Sequence, residues 1–325
     1  MPPVNRKNPV RAKSSESRYS LMEFMQEYPD DDACLESLWR RRYSVDGVHA
    51  DCPKCETERV FKRYGMAQQR QSWTCTGCGH YLHPTAGTIF HKSSTSLHLW
   101  FYAMYLMAST RCGISAKQLE RELGVTYKTA WRMANLIRTS LMNQNGAMLS
   151  GTVEADETWI GGKVRYRNGK VAPLNAQGTP KRGRRPKGQD NKTTVLGMVQ
   201  RSGEVVASVV PDTKSATLYP LIREFVMPRS TIYTDEAMHY RQIAGQGYRH
   251  RRIHHAEKVY VRGDVHTNTI EGFWSLVKRG IGGVYHSVSA KHLQGYLNEY
   301  AWRYNRRNED RAEFETLLLR AALGS

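Results

Sequence analysis

Nowhere in its 325 residues does this chain hold an apolar run long enough to cross a bilayer. The longest, Leu99 to Ala108, is about half of the ~20 residues that a spanning helix needs. The first twenty residues (MPPVNRKNPVRAKSSESRYS) lack the apolar stretch of a secretory leader and read as a flexible basic arm, residues 1–20. No internal repeat is evident. Acid is scarce: 30 Asp and Glu stand against 48 Lys and Arg, a net charge of +18, with a pI near 9.7. Such an excess repels itself unless an anion neutralises it, and nucleic acid is the commonest such partner. Cysteine is sparse too. Four of the six lie in two close pairs, which suits a metal in a reducing compartment better than disulfides. The expected setting is the bacterial cytoplasm, on the nucleoid, with double-stranded DNA as partner and no membrane. A hydrophobic content of 40% is enough for packed cores, and the length accommodates two domains or three small ones.

The pairs are Cys52-Pro-Lys-Cys55 and Cys75-Thr-Gly-Cys78, with 19 residues between them. Two intervening residues let both thiolates of a pair face one ion, and Gly77 and Gly79 are available for the positive φ of such knuckles. Four thiolates close a tetrahedral shell, so Cys52, Cys55, Cys75 and Cys78 predict one structural Zn²⁺ in a zinc ribbon over 50–92. His80 and His83 are spare candidate ligands. Cys34 and Cys112 read as buried small hydrophobes. Arg59, Lys62, Arg63, Arg70 and Trp73 lie between the ligand pairs and suit either DNA contact or protein docking.

Residues 21–49 predict a short helical segment broken at Pro29, with Asp30, Asp31 and Asp32 at the favourable end of a second helix dipole. Over 93–145 the apolar residues recur at helical spacing. Within that stretch Ser115 is a candidate N-cap, Leu119 and Leu123 share a face, Gly124 ends the helix, and Thr126 caps the next. This pattern predicts a helix-turn-helix presenting Tyr127, Lys128, Thr129 and Arg132 to a major groove. Trp131 and Ile137 read as core.

From 150 the texture changes. Strand-like runs occur at 151–160, 193–200, 205–210 and 231–234, with a helix at 215–225 and two more helical patterns from about Thr269 and Ala290. Between Lys163 and Lys192 there are ten basic residues and one acid, a composition that cannot bury a core. We read 163–192 as a mobile basic insert whose Lys181, Arg182, Arg184, Arg185 and Lys187 contact phosphate.

Three acids lie at the ends of elements where a ribonuclease-H-like sheet would gather them: Asp156, Asp235 and Glu271, separated by 78 and 35 residues. Lys278 follows Glu271 by two helical turns and so shares its face, with Arg279 beside it as a further DNA contact. Two-metal phosphodiester chemistry needs converging hard oxygen ligands for two Mg²⁺ or Mn²⁺ ions ~3.5–4 Å apart. Neighbours compete for these roles. Glu154 shares the face of Asp156, Glu157 and Glu236 point the other way, and Asn268 lies one turn before Glu271. The carboxylate of Glu271 offsets metal charge, which Asn268 does not. His266 is a candidate DNA or outer contact, and His254, His255 and His292 are weaker ones.

With those residues assembled, the chain resembles the bacterial insertion-sequence transposases of the ISXO-like family. CPKC…CTGC, GTIFH before LWFYAMYLM, ISAKQLERELGVTYKTAWRM, EADETWIGGK, HTNTIEGFWSLVKRGI and LNEYAWRYNRR occur in family order from about Asp30 to Arg307. The resemblance implies a multidomain α+β protein with a ribonuclease-H-like α/β catalytic domain over 150–325, acting on terminal inverted repeats with divalent metal. Asp156 and Asp235 match the first two acids of the pattern and Lys278 its trailing basic residue; the third position stays open between Glu271 and Asn268. The implied reaction cuts at element ends and joins the freed 3′-hydroxyls to target DNA, within an oligomer of at least two chains. Two other readings fit the motifs: a non-catalytic zinc-ribbon and helix-turn-helix regulator, and a metal-dependent structure-specific nuclease.

Overall fold

Local capping chemistry sets the first elements. Ser20 accepts the Glu23 amide while Glu23 reaches back to the Ser20 amide, a reciprocal box that starts α1 (Leu21–Glu27). Asp30 accepts the Ala33 amide to start α2 (Asp31–Arg42), whose last turn carries Arg40, Arg41 and Arg42 against the helix dipole. The computed structural model describes residues 19–64, 72–110, 112–161, 192–235, 237–252, 267–307 and 313–324. The chain divides into two units, one formed by the segment up to Leu141 together with the last stretch from Arg306, the other by Met142–Asn305.

In the first unit a four-stranded antiparallel sheet follows α2: β1 (His49–Cys52), β2 (Thr57–Tyr64), β3 (Ser72–Cys75) and β4 (Tyr81–Leu82), in sequence order. Trp39 of α2 stacks on Trp73 at 4.6 Å and packs with Phe61 and Leu82, giving this small sheet its core. Three helices come next, α3 (Leu97–Ser109), α4 (Ala116–Leu123) and α5 (Tyr127–Leu136), and the last runs on as a wider π-type turn over Ile137–Leu141. The unit is completed from the other end of the chain. Phe314 of α9 (Glu313–Leu323) sits among Phe24, Tyr28, Phe101 and Tyr105, with ring centroids 5.6 to 6.4 Å away. The sequence reading extended the catalytic domain through 325, but α9 buries its apolar stripe (Phe314, Leu317, Leu318, Ala321) in the N-terminal unit instead. An amphipathic stripe records that a helix must be covered, not by what.

The second unit is built on a five-stranded sheet of order β7-β6-β5-β8-β9. Its strands are β5 (Thr152–Ile160), β6 (Thr193–Gln200), β7 (Val205–Val210), β8 (Thr231–Thr234) and β9 (Arg249–Arg252). β5 is central, antiparallel to β6 and parallel to β8; β7 is antiparallel to β6, and β9 parallel to β8. This is the ribonuclease-H-like mixed sheet expected. Strand alternation sorts its side chains cleanly. Val153, Ala155, Leu196, Met198 and Val206 face α6 (Ser215–Phe225) through Leu218 and Ile222. Val195, Val199, Val205 and Ala207 face α7 (Asn268–Gly280) and α8 (Leu293–Arg306) through Ile270, Trp274, Val277, Leu297 and Tyr300. Val, Ile and Leu on both faces of the central strands are what two helical layers require.

Gly197 lies where β6 and α7 approach closely. It pairs with Asp156 across β5–β6, and a Cβ there would lie 2.3 Å from the indole of Trp274 and 2.9 Å from Ile270. No side chain fits. Gly197→Ala is expected to lower the stability of the chain by about 3 kcal/mol, the upper range for overpacking a filled core, and Trp274→Leu in the same chain to restore part of it. Urea unfolding of the single and double variants measures both.

Candidate functional site

The four paired cysteines converge. The two CxxC knuckles turn alike: the Glu56 amide donates to the Cys52 carbonyl at 2.8 Å and the Gly79 amide to the Cys75 carbonyl at 2.9 Å, and Glu56 and Gly79 both take left-handed backbone at φ 54° and 74°. The residue after each pair therefore makes the turn, and Gly77 does not need its freedom. All four sulfurs lie within 4.8 Å of one another, Cys52 3.6 Å from Cys78 and Cys55 4.0 Å from Cys75. A tetrahedral ion ~2.3 Å from each thiolate sets sulfurs ~3.8 Å apart, so the set fits zinc in spacing and donor type. Cys34 is buried, but Cys112 is exposed in the turn before α4, against the reading that it is a core residue.

The ribbon's basic and aromatic residues divide. Trp73 is 2% exposed and belongs to the core, not to a DNA-contacting face. Arg63 covers its ring and pairs with Asp32 at 2.7 Å. Arg59 and Lys62 are exposed, and Arg70 lies outside the described residues.

The α4–α5 pair is capped as its sequence indicates. Ser115 accepts the Gln118 amide, Gly124 takes left-handed backbone at φ 64°, and Thr126 accepts the Thr129 amide. Tyr127 and Lys128 stand exposed at the start of α5; Thr129 is half-buried with its hydroxyl 3.0 Å from that of Thr126. Arg132 is exposed but lies over the Trp100 ring. Lys181, Arg182, Arg184, Arg185 and Lys187 fall outside the described residues, as do Glu236, His254, His255 and His266.

The acids of the second unit occupy three elements. Asp156 sits mid-β5 on the α7 face, where Trp274 donates its indole N–H to Oδ2 at 3.0 Å. Burial pushes its carboxyl up to about 7, and the neighbouring charges of Glu157 and Asp235 push the same way. Asp235 follows β8 directly and accepts the Ala237 amide at 3.0 Å. Glu157 points to the opposite face of β5, where it accepts the hydroxyl of the fully buried Tyr240 and lies 3.2 Å from Nε2 of His239. That contact holds the His239 pKa above its usual value. Glu154, fully buried, accepts from the amides of Thr269 and Ile270, the Thr269 hydroxyl and Arg201.

Glu271 is exposed in the first turn of α7 and accepts the Thr267 hydroxyl at 3.2 Å; Asn268, Lys278 and Arg279 are exposed on the same helix. Three- and four-residue spacing puts Glu271 and Lys278 on either side of Trp274, the residue that touches Asp156. Among the described residues the four cysteines are the set whose ligand atoms lie within 4.8 Å of one another; Asp156, Asp235 and Glu271 are not drawn that tightly together. The carboxyl of Asp156 is nonetheless in an anion-rich environment, and such a donor set of hard oxygens fits a hard divalent cation.

Sequence reasoning missed Trp274, Arg201, Tyr240 and His239. The one available signal was Gly197, a glycine inside a buried apolar strand, which marks a close approach from another element.

Comparison with known proteins shows the family to which the chain belongs. A family model described as ISXO2-like transposase domain matches residues 148–305, the unit that carries the mixed sheet. The uncharacterized protein in transposable element ISH50 of Halobacterium salinarum is 30% identical over 262 residues, 79% of this chain and 85% of that protein. An uncharacterized transposase-like protein of Haemophilus influenzae is 35% identical over 102 residues, 31% of this chain and 81% of that one. A chain of the pre-cleavage Mos1 transpososome matches 69% of this chain and 77% of its own at 12% identity and a TM-score of 0.26, a value at which the two backbones do not superpose as wholes. The sequence matches decide the assignment: the chain belongs to the ISXO2-like transposases of insertion sequences.

Proposed function

We propose that the chain binds the terminal inverted repeats of its element, cuts a phosphodiester at each end and joins the freed 3′-hydroxyls to target DNA, with Asp156, Asp235 and Glu271 as ligands of a divalent-metal pair. The feature that supports this most directly is the placement of Asp156 mid-β5, with Trp274 on one carboxyl oxygen and Glu157 and Asp235 close enough that burial and their charges raise its carboxyl to about 7. A group in that position is costly to ionise unless a cation offsets it. Bound there, Mg²⁺ or Mn²⁺ would supply activation of the attacking oxygen and stabilisation of the leaving one.

The protein's own residues do the rest. Trp274 fixes one oxygen of Asp156 and so orients its carboxyl. Glu271 lies beside Trp274 on α7, which favours it over Asn268 as the third ligand, and Lys278 on the same stripe is placed to hold a DNA phosphate. Water attacks the phosphodiester in the first step and takes the place of the departing 3′-oxygen on phosphorus. In the second, that 3′-hydroxyl attacks a target phosphodiester and displaces its 3′-oxygen, so no covalent protein–DNA bond and no ATP are needed.

The exposed Tyr127 and Lys128 of α5 are the foremost groove-reading side chains, with Thr129 and Arg132 behind them and Arg279 on the phosphates. The basic insert adds further phosphate contact. Two element ends must be cut together, so the working form is at least a dimer.

Cleavage of linear DNA carrying the element's own ends tests the proposal. Asp156→Asn, Asp235→Asn and Glu271→Gln are each expected to cut at least about 100-fold more slowly while binding the ends as wild type does. A dead Asn268→Ala beside an active Glu271→Gln would move the third ligand to Asn268. Full activity of the two aspartate variants, or end binding without any metal-dependent nicking, would leave a DNA-binding regulator in place of the enzyme.

The cysteine set makes a separate claim. The purified chain is expected to carry one zinc ion, and Cys55→Ser to lose it together with the order of β1–β4 while the melting of the sheet unit is retained. Metal analysis and amide exchange read the two outcomes.

A further inference from the structure

Glu154 is a charge that the reaction does not use. Its side chain has no solvent exposure, on a strand where the next residue of the same face is Asp156. An unpaired carboxylate in such a place is prohibitively costly, and here its partners come from one element above all. Oε2 accepts the backbone amides of Thr269 and Ile270 at 2.9 and 3.1 Å, and Oε1 accepts the Thr269 hydroxyl at 2.9 Å. Both amides belong to the first turn of α7, where helical N–H groups have no partner within the helix. Thr267, at the N-cap position, makes no side-chain capping bond to that turn. A carboxylate 115 residues away in sequence does the capping instead. Arg201, at the end of β6, adds a charged contact at 2.8 Å.

We propose that Glu154 is a positioning residue for the metal site: it seats the N-terminus of α7 on β5 and so sets the distance from Glu271 and Asn268 to Asp156. The inference rests on the metal-site reading above. Three features support it. The clamp joins the strand that bears Asp156 to the turn that bears both candidates for the third ligand. Its geometry is directional, because two adjacent amides converge on one oxygen and fix the helix in rotation as well as in height. The second attachment of α7 to the same strand, Trp274 on Asp156, lies more than one turn further along. The two points together define the helix axis over β5, whereas the indole contact alone leaves the first turn free to lift.

The full chain tests this with Mn²⁺ as the probe, titrated calorimetrically, alongside residue-resolved amide exchange. Glu154→Gln keeps the shape of the side chain and loses its charge. It is expected to weaken Mn²⁺ binding about tenfold and to expose the Thr269 and Ile270 amides to exchange, while the amides from Val277 onward stay protected. Cleavage at saturating Mn²⁺ should recover most of its rate, a split that a general loss of folding does not give. Thr269→Ala, which removes one hydroxyl donor and leaves the fold intact, should show a smaller shift in the same direction. Asp156→Asn separates the two layers of the argument. If it binds Mn²⁺ as wild type does, the metal site itself is misassigned. If it loses Mn²⁺ while Glu154→Gln and Thr269→Ala both bind as wild type, the site stands and the positioning role of Glu154 is overturned.

Discussion

Three carboxylates on one buried strand must each find compensation, and the second unit is arranged around the three different answers. Glu154 is answered by the start of a helix and an arginine. Glu157 is answered on the opposite face by a buried tyrosine and a histidine from the segment after β8. Asp156, between them, receives an indole N–H that favours its ionised form, but burial and the nearby charges of Glu157 and Asp235 outweigh it and raise the carboxyl. Strand alternation creates this division, because 154 and 156 look toward α7 while 157 looks away. The elements that carry the remaining acids are thereby tied to β5 by its own neighbouring acids. Charge left over at Asp156 is what a cation would complete.

The first unit solves a different problem. Its four-stranded sheet is too small to be held by apolar burial alone, and it combines a tryptophan pair with four thiolates at tetrahedral spacing. Its helices enclose a dense aromatic core that is finished by α9, supplied after the whole of the sheet unit has been traversed in sequence. The sheet unit is thus, in sequence, an insertion between two parts of the N-terminal one.

Much of this was legible beforehand where the signal is local. Ser115, Gly124 and Thr126 bound their helices as capping chemistry requires, and the strand-like apolar runs 193–200 and 205–210 became β6 and β7. The run Arg249–Arg252 was not legible as a strand, because Arg-His-Arg-Arg has no apolar alternation; it is held as an edge by β8 alone. The destination of α9 was not legible either. Glu154 was recognised as a face-mate of Asp156, but its partner amides are backbone groups, which leave no trace in a sequence. Glu157 was recognised as pointing away; that Tyr240 and His239 would meet it depends on a pairing across more than eighty residues. Non-local polar contacts are set by tertiary packing and leave no local signature; Gly197, a glycine inside an apolar strand, marks only the close packing of Trp274 and Ile270.

The account stands on the cost of ionising the buried carboxyl of Asp156, and thermal melting across pH measures it directly. The folded chain keeps a proton on Asp156 up to about pH 7 that the unfolded chain, with its ordinary value of 3.8, has released. Stability should therefore fall as pH rises through that window, relative to Asp156→Asn, which has no proton to lose. In chelator, the account predicts a wild-type melting temperature that drops below that of Asp156→Asn between about pH 4 and 7 and stays below it beyond. Adding Mn²⁺ at pH 8 should then raise the wild type and leave the variant unmoved. Parallel pH profiles for the two proteins, with no response to Mn²⁺ in either, would contradict it.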